Sequence, residues 1–200
     1  MTAKVGIVLL AAGSSSRMNG GDKTLELIDG MTLLERLVQE CIASSAFQTT
    51  LVLPPDRPDR VAAIKHLEVQ TVIAEDAQLG MSASIKAGIK ALHGAEAALI
   101  VLADMPEITR AHLELIMSAF HEDQSRTIIR ATDADGTVGH PVLFARQHFD
   151  ALQNLSGDQG AKQLLKSNTV HKVMLNGHAA TTDLDTPEAW QEWRASKRLS

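Results

Sequence analysis

The feature that most constrains the fold of this chain is an uninterrupted apolar run, Val5–Leu10, followed by a turn that contains Gly13. A short apolar run rich in β-branched residues is typical of a strand buried on both faces of a parallel sheet. Ala97–Leu102 is a second run of this kind, and Asp104 follows it closely. Because ligands bind at the carboxyl ends of parallel strands, we expect a site in the loops that follow these runs.

Strand and helix patterns alternate along the rest of the chain. Besides the two runs, we predict strands at residues 49–53, 69–73, 127–131 and 170–175. Periodicity and N-terminal caps predict helices near residues 33–42, 60–66, 82–92, 109–120, 147–154 and 160–167, and from 187 onward. This alternation predicts a mostly parallel sheet with helices on both faces. Val142–Phe144 is interpreted only as an apolar patch. Without a linker or repeat, residues 1–200 are expected to form one domain.

Composition and charge exclude several classes of protein. The 19 Lys and Arg residues against 24 Asp and Glu residues give a formal net charge of −5, which argues against a nucleic-acid partner. Aromatic residues make up 3% of the chain and tyrosine is absent, so a base-stacking platform is not expected. A single cysteine excludes a disulfide framework. The sequence has neither an apolar run of about 18 residues nor a signal-peptide pattern, so we expect no membrane partner and a cytoplasmic location.

The loop from Gly13 to Lys23, GSSSRMNGGDK, has a composition suited to phosphate binding. A glycine directly after a buried strand lets a ligand approach backbone N–H groups, and Arg17 and Lys23 add positive charge. Neither common phosphate-binding pattern is present, because GxGxxG and GxxxxGK[ST] are both absent. The alternative is an ordinary surface loop, and the residues alone leave both interpretations open.

Carboxylates occur at two places where a divalent cation could bind. Asp104 ends an apolar strand, where a carboxylate can hold Mg²⁺ beside a bound phosphate; it could equally cap the turn before Pro106. Asp183 and Asp185 stand at alternating positions, so one can face the sheet edge while the other points away. The alternative for this pair is a cap for the helix that follows. Together with Asp104, the pair predicts a two-carboxylate magnesium site.

Other reactive side chains give weaker signals. His140, between Gly139 and Pro141, is more typical of a hydrogen-bonded structural histidine than of a catalyst. The remaining histidines show no HxH or HExxH spacing, so a zinc site is not expected. Ser14–Ser16 lack the GxSxG setting of a nucleophile, and Cys41 lies on an apolar helix face.

Six blocks in order along the chain resemble the MobA-like nucleotidyltransferases, and among them most closely the molybdopterin cytidylyltransferases. The blocks are Leu10–Gly13 with Ser16–Met18 and Lys23, then Gly80–Ser84, Leu102–Pro106, Gly139–Phe144, Gly157–Ala161 and Asp183–Glu188. The resemblance spans nearly the whole chain. It implies a Rossmann-like three-layer α/β/α nucleotidyltransferase fold, with residues 1 to about 105 binding NTP and residues from about 106 to 200 binding the acceptor.

The same resemblance implies Mg²⁺-dependent transfer of CMP from CTP, or of a nucleotide from another NTP, to the phosphate of a molybdopterin-type acceptor. Catalysis would rest on alignment and charge neutralisation. A molybdoenzyme that receives the product is the further partner. The implied catalytic residues are Arg17, Lys23 and Asp104. The other implied nucleotide-binding residues are Leu10, Ala11, Ala12, Gly13, Gly80, Ser82 and Ser84. The implied acceptor-binding residues are His140, Pro141, Gly157 and Asp158, and the implied metal ligands are Asp104, Asp185 and Asp183.

Alternatives remain open at this level. The double alanine at positions 11 and 12 resembles the cytidine-using branch, whereas guanylyl-transferring relatives usually have a second glycine. Within the class, the alternatives are a guanylyltransferase and a sugar-phosphate or isoprenoid-phosphate nucleotidyltransferase. A non-catalytic module that delivers cofactor to a molybdoenzyme could keep the same loop and Asp104. The absence of GxGxxG after the first strand argues against an NAD-dependent oxidoreductase.

Overall fold

The two apolar runs become neighbouring parallel strands inside a larger sheet. The structure, a computed structural model, describes residues 3–157 and 161–198. Its strands are β1 (Val5–Leu10), β2 (Leu27–Ile28), β3 (Met31–Thr32), β4 (Gln48–Leu53), β5 (Gln70–Ile73), β6 (Ala97–Leu102), β7 (Ile128–Thr132), β8 (Val138–Ala145) and β9 (His171–Met174). Its helices are α1 (Leu33–Ile42), α2 (Pro58–Ile64), α3 (Met81–Ala91), α4 (Arg110–Glu122), α5 (Phe149–Gln153), α6 (Lys162–Ser167) and α7 (Pro187–Lys197).

The main sheet of the described residues has seven strands in the order β5-β4-β1-β6-β8-β7-β9, and β2 and β3 form a separate hairpin. β1 is parallel to β4 and β6, β4 is parallel to β5, and β7 is parallel to β9. Apolar side chains of α1, α2, α4 and α7 cover one face, and those of α3, α5 and α6 cover the other. The predicted three-layer, mostly parallel α/β fold is confirmed.

The segment interpreted as an apolar patch, Val142–Phe144, is instead part of β8, which is antiparallel to both β6 and β7. The connection from β7 consists only of residues 133–137. That length suits a hairpin, whereas a parallel pairing needs a crossover of about a dozen residues or more. Because β8 is reversed, its first residues lie at the edge where the parallel strands end.

Two details of the helices matter for the site. α2 begins at Pro58, before the predicted start, because proline fits the first helical position. α3 lies very close to the sheet, since a Cβ on Gly88 would come within 2.2 Å of Val8 Cγ1. No helix within residues 3–157 and 161–198 combines the length and the apolar composition needed to cross a membrane.

Candidate active site

A cavity of about 730 Å³ opens at the carboxyl edge of the parallel strands. The loops after β1 and β6, where the sequence predicts a site, both contribute to it, together with the loops after β4 and β5 and the first turn of α3. The lining residues are Leu10–Ser14, Lys23, Thr24, Pro54–Arg57, Glu75, Ala77, Gln78, Gly80, Met81, Ser84 and Leu102–Asp104.

At one end of the cavity, Lys23 joins two carboxylates that are distant in sequence. Its Nζ lies 2.5 Å from Asp104 Oδ2 and 2.5 Å from Asp185 Oδ1. Arg17 contacts the other oxygen of Asp185 at 2.5 Å, although its own side chain is 68% exposed. The backbone N–H of Leu184 donates to the carbonyl of Asp104 at 3.1 Å, which fixes the two carboxylate-bearing segments side by side. The structure thus brings together four predicted site residues from three segments of the chain.

The charges of this cluster shift the pKa of Lys23 and that of Asp183. Burial alone would lower the pKa of Lys23, but the charges and hydrogen bonds of Asp104 and Asp185 raise it above the ordinary value, so the ammonium stays protonated. Asp183 is exposed. Its pKa is raised by partial loss of hydration and then by the nearby negative charges of Asp185 and Asp104. The cluster therefore holds more negative charge than Lys23 alone neutralises.

The donor set of this cluster fits a hard divalent cation. Asp104 Oδ1 is buried and has no hydrogen-bond partner among the described residues. A buried carboxylate oxygen normally has a partner, and Mg²⁺ or Mn²⁺ prefers such oxygen ligands. Asp185 is held close to Asp104 by their shared partner Lys23, so a second carboxylate is available in the same cluster.

The loop from Gly13 to Lys23, whose composition suits phosphate binding, is anchored by a buried arginine that the sequence analysis did not identify. Arg60 is 0% exposed and donates to Asp22 Oδ2 at 2.7 Å, to the carbonyl of Ala11 at 2.6 Å and to Ser15 Oγ at 3.1 Å. The one signal in the sequence is that Arg60 lies four residues before Ile64, on the face of α2 that packs inward.

Asp22 links this anchor to Lys23. Its carboxylate accepts hydrogen bonds from Thr24 N at 3.0 Å and Thr24 Oγ1 at 2.8 Å, which caps the short 3₁₀ turn Lys23–Leu25. Burial alone would raise the pKa of Asp22, but the hydrogen bond and charge of Arg60 bring it below the ordinary value. The turn that presents Lys23 is therefore fixed from β1 on one side and α2 on the other.

Ser82 and Ser84, both predicted to bind the nucleotide, face different cavities. Gly80 and Ser84 line the cavity described above, whereas Ser82 donates to the carbonyl of Gly157 and lines a separate cavity of about 390 Å³. Gly157 also lines that second space, and His140 does not. Asp158, predicted on the acceptor side, lies outside the described residues.

His140 and Pro141 lie at the start of β8, at the carboxyl edge of the parallel strands. The pKa of His140 is lowered to about 4, mainly by burial and then by the charge of Arg130, while the charge of Asp104 partly opposes the shift. His140 Nδ1 is buried without a hydrogen-bond partner among the described residues. The ring is therefore neutral at physiological pH. Its Nδ1, unpartnered among the described residues, lies at the same edge of the sheet as the carboxylate cluster.

A second group of potential metal ligands lies at the same edge. One atom each of Asp133, Asp135 and His178 fall within 4.8 Å of one another. Residues 133–137 form the turn between β7 and β8, and none of them is among the predicted site residues. Asp133 also accepts hydrogen bonds from Thr137 N at 2.9 Å and Thr181 Oγ1 at 3.0 Å, so its oxygens already close that turn.

Comparison with known proteins gives one family match and several relatives of similar length. Residues 7–173 match the family model described as the MobA-like NTP transferase domain. The purine catabolism protein PucB of Bacillus subtilis strain 168 is 26% identical over 204 aligned residues, covering 92% of each protein. Nicotine blue oxidoreductase of Paenarthrobacter nicotinovorans is 27% identical over 188 aligned residues, covering 90% of this chain and 92% of that protein.

Solved structures show the same fold. The Rv0371c homologue from Mycobacterium sp. strain JC1 has a TM-score of 0.85 at 28% identity and covers 100% of both chains. Rv0371c of Mycobacterium tuberculosis H37Rv, solved in complex with manganese, has a TM-score of 0.81 at 26% identity and covers 97% of this chain and 100% of that one. Molybdopterin-guanine dinucleotide biosynthesis protein A of Archaeoglobus fulgidus, with a TM-score of 0.70 at 17% identity and 98% and 100% coverage, shares the fold alone.

Proposed function

The chain belongs to the MobA-like NTP transferase family, and we propose that it is a Mg²⁺-dependent cytidylyltransferase acting on a molybdopterin-type acceptor. Membership of this family confirms the resemblance found in the sequence and makes the chain a nucleotidyltransferase. The observation that most supports the proposed metal-dependent reaction is the contact of Lys23 with both Asp104 and Asp185. Lys23 and Asp104 also line the cavity of about 730 Å³.

The proposed reaction is an in-line displacement at phosphorus. An oxygen of the acceptor phosphate attacks the α-phosphorus of CTP, the bond from that phosphorus to the bridging oxygen breaks, and pyrophosphate leaves with the electron pair. No covalent enzyme intermediate is required. Arg17 and Lys23 neutralise the triphosphate and the departing pyrophosphate, while the backbone of Ala11–Gly13 contacts the nucleoside.

Asp104 with Asp185 would hold the magnesium ion, and Asp183 adds negative charge nearby. When bound there, Mg²⁺ supplies positive charge to the phosphate oxygens and helps to align the triphosphate. The unpartnered Oδ1 of Asp104 supports this assignment. The manganese complex of M. tuberculosis Rv0371c supports a divalent cation in a structure that resembles this one.

The shape of the cavity supports nucleotide binding by the first half of the chain. Every lining residue lies between Leu10 and Asp104, as expected if residues 1 to about 105 bind NTP. Lys23 and Asp104 mark one part of the lining, and Glu75 and Gln78 supply polar side chains elsewhere in it. We assign the cytosine base to the part near Gln78, because an amide can both donate and accept hydrogen bonds with a base edge.

The acceptor assignment rests on the resemblance of residues 139–144 and on the position of this segment. His140 lies at the start of β8, at the same edge of the sheet as Asp104. An acceptor bound beside His140 would therefore approach the α-phosphate from the second half of the chain. The shared fold of the archaeal molybdopterin-guanine dinucleotide protein is compatible with a molybdopterin acceptor.

The name of one relative, nicotine blue oxidoreductase, points to a different chemistry. The loop after β1 lacks the GxGxxG pattern by which most dinucleotide-binding oxidoreductases hold the pyrophosphate. Two carboxylates joined by Lys23 suit a metal-bound triphosphate better than a nicotinamide cofactor. Transferase chemistry is therefore the function that the site supports best.

The proposal is tested by measuring pyrophosphate release from the purified chain with Mg²⁺, CTP and molybdopterin. We expect release that requires both substrates and the metal, with CTP preferred over GTP. Faster release with GTP would overturn the base assignment. Nucleotide binding without pyrophosphate release would favour the non-catalytic delivery module, and oxidation of NADH without release would favour an oxidoreductase.

A further inference from the structure

A second large cavity lies apart from the candidate active site. Its volume is about 940 Å³, and none of its lining residues belongs to the first cavity. It lies between the β2–β3 hairpin, the first turns of α4 and the outer face of α7. Spaces of this size accommodate small organic ligands.

Part of the cavity wall is apolar and open to solvent. Leu27 is 56% exposed and Leu115 is 46% exposed, and both line the cavity. Trp193 lines it as well, and its indole Nε1 already donates to Glu107 Oε1 at 2.9 Å. The ring of Trp193 therefore offers an apolar surface whose polar atom is satisfied, which suits a ligand with an apolar body.

The remainder of the wall is positively charged, although the whole chain carries a net charge of −5. Two lining carboxylates face four lining cationic side chains, so positive charge is in excess. The carboxylates are those of Asp29 and Glu107, and the cationic side chains are those of Arg36, Arg194, Lys197 and Arg198. Local charge of this sign attracts an anion.

Two of these cations are already neutralised within the protein. Arg194 pairs with Glu26 at 2.8 Å, and Lys197 pairs with Glu107 at 2.8 Å.

The other two, Arg36 and Arg198, have donors left over. Arg36 lies 3.9 Å from Asp29, whose side chain is 93% exposed, and its Nε is buried without a hydrogen-bond partner among the described residues. The guanidinium of Arg198 contacts no carboxylate in residues 3–157 and 161–198. A guanidinium group presents a planar set of donors that matches a carboxylate or a phosphate.

We propose that this cavity is a second ligand site that binds a small organic anion, with a carboxylate or phosphate group held by Arg36 and Arg198. The apolar body of the ligand lies against Leu115 and Trp193. Because the two cavities share no residue, the anion and the nucleotide bind at the same time. The proposal does not depend on which nucleotide or acceptor the active site uses.

The chain offers a direct optical test with the fluorescent apolar anion 1-anilinonaphthalene-8-sulfonate. It contains two tryptophans and no tyrosine; Trp190 is 1% exposed, whereas Trp193 lines the cavity. We expect saturable binding of the dye and energy transfer to it from tryptophan. The paired substitution Arg36→Gln with Arg198→Gln should weaken binding by about tenfold or more, because charge-assisted hydrogen bonds are lost.

The matched control is Arg126→Gln with Lys65→Gln, which changes the net charge equally but lies outside both cavities. This control should bind the dye within about twofold of the unmodified chain, a difference of less than about 0.5 kcal/mol. Thermal unfolding of both paired variants checks that they remain folded. Equal weakening in both pairs, or none in the cavity pair, would overturn the proposal.

Competition then identifies the group that is recognised. Displacement of the dye by phenyl phosphate at lower concentration than by phenylacetate indicates a phosphate ligand, and the reverse order indicates a carboxylate. Equal displacement by neutral benzyl alcohol would overturn the anion assignment. Displacement by CTP with Mg²⁺ would place the dye in the first cavity. If dye binding is lost while light scattering shows that a dimer forms, a second copy of the chain fills the cavity. This result would also overturn the proposal.

Discussion

At the scale of single residues, Arg60 determines the position of the loop that presents Lys23. It is fully buried and is the shared partner of Asp22, the Ala11 carbonyl and Ser15. Its place could not be predicted from the sequence, because a buried arginine is rare unless its partners are known, and those partners are 38 to 49 residues away. The composition of the loop indicated possible phosphate binding, but the sequence did not predict that Arg60 anchors the loop.

Arg60→Met is therefore expected to be strongly destabilising. It leaves the buried carboxylate of Asp22 without its charge partner, and breaking such a pair costs about 3–5 kcal/mol in the free energy of unfolding. The matched control is Arg57→Met, three residues earlier, because Arg57 makes an exposed hydrogen bond to the Ser14 carbonyl at 2.8 Å. That control should cost less than about 1.5 kcal/mol. Urea unfolding measures both, and equal losses would contradict the anchoring role.

A substitution at Gly13 tests nucleotide binding separately from the stability of the fold. A Cβ at this position would meet nothing within 4 Å, and the residue lines the cavity that we propose binds the nucleotide. Gly13→Ala should therefore change the free energy of unfolding by less than about 0.5 kcal/mol and weaken CTP binding, measured by calorimetry, because its methyl group occupies cavity space.

The matched variant is Gly88→Ala, whose Cβ would come within 2.2 Å of Val8 Cγ1. Overpacking there should cost about 1–3 kcal/mol of stability without adding atoms to the cavity. Gly13→Ala with unchanged CTP affinity would place the nucleotide elsewhere.

At the scale of elements, the direction of β8 decides which residues reach the active-site edge. The sequence predicts β1 and β6 most directly, because their apolar runs are continuous. It could not predict β8, because Pro141 interrupts the pattern and is normally excluded from a central strand. In the structure the pairing with β7 is irregular between Arg130 and Thr132, and regular pairing with β6 begins at Val142. Pro141 therefore avoids the regular part of the ladder.

The burial of His140 at the start of β8 predicts a pH dependence of stability. Its folded-state pKa, about 4, lies below the ordinary 6.5, mainly because burial penalises the charged ring and then because Arg130 repels it, while Asp104 partly opposes the shift. The unfolded chain takes up this proton first as the pH falls. Stability that is present above pH 6.5 is thus lost towards pH 4, by up to roughly 3 kcal/mol.

His140→Gln removes this titration. Urea unfolding at pH 7 and pH 4.5 should show a smaller loss of stability in the variant than in the unmodified chain. The carboxylates and the remaining histidines titrate in both proteins, so the difference between the two losses reports His140. Equal losses in the two proteins would contradict a buried, neutral His140.

At the scale of the whole molecule, the fold brings the cationic side chains of Arg17 and Lys23 together at one edge of the sheet, although the chain carries a net charge of −5. Alternation of strands and helices predicted the sheet and the edge at which the cavity of about 730 Å³ lies. It did not predict that Lys23 would join Asp104 and Asp185, which are 81 and 162 residues further along the chain. Such contacts depend on strand order and on the path of the segment between β9 and α7, which contains Asp185, and a single sequence contains no direct signal for either.

The effect of Asp104→Asn on pyrophosphate release from CTP, with Mg²⁺ and molybdopterin, tests the central claim most directly. Asp150→Asn, an exposed carboxylate in the first turn of α5, is the matched control. We predict that Asp104→Asn raises the activation free energy by about 2–4 kcal/mol, a loss of ~30-fold or more, while the control retains full activity. Release by Asp104→Asn within about threefold of the unmodified chain, less than about 0.7 kcal/mol, would contradict the assignment of the carboxylate cluster as the catalytic centre.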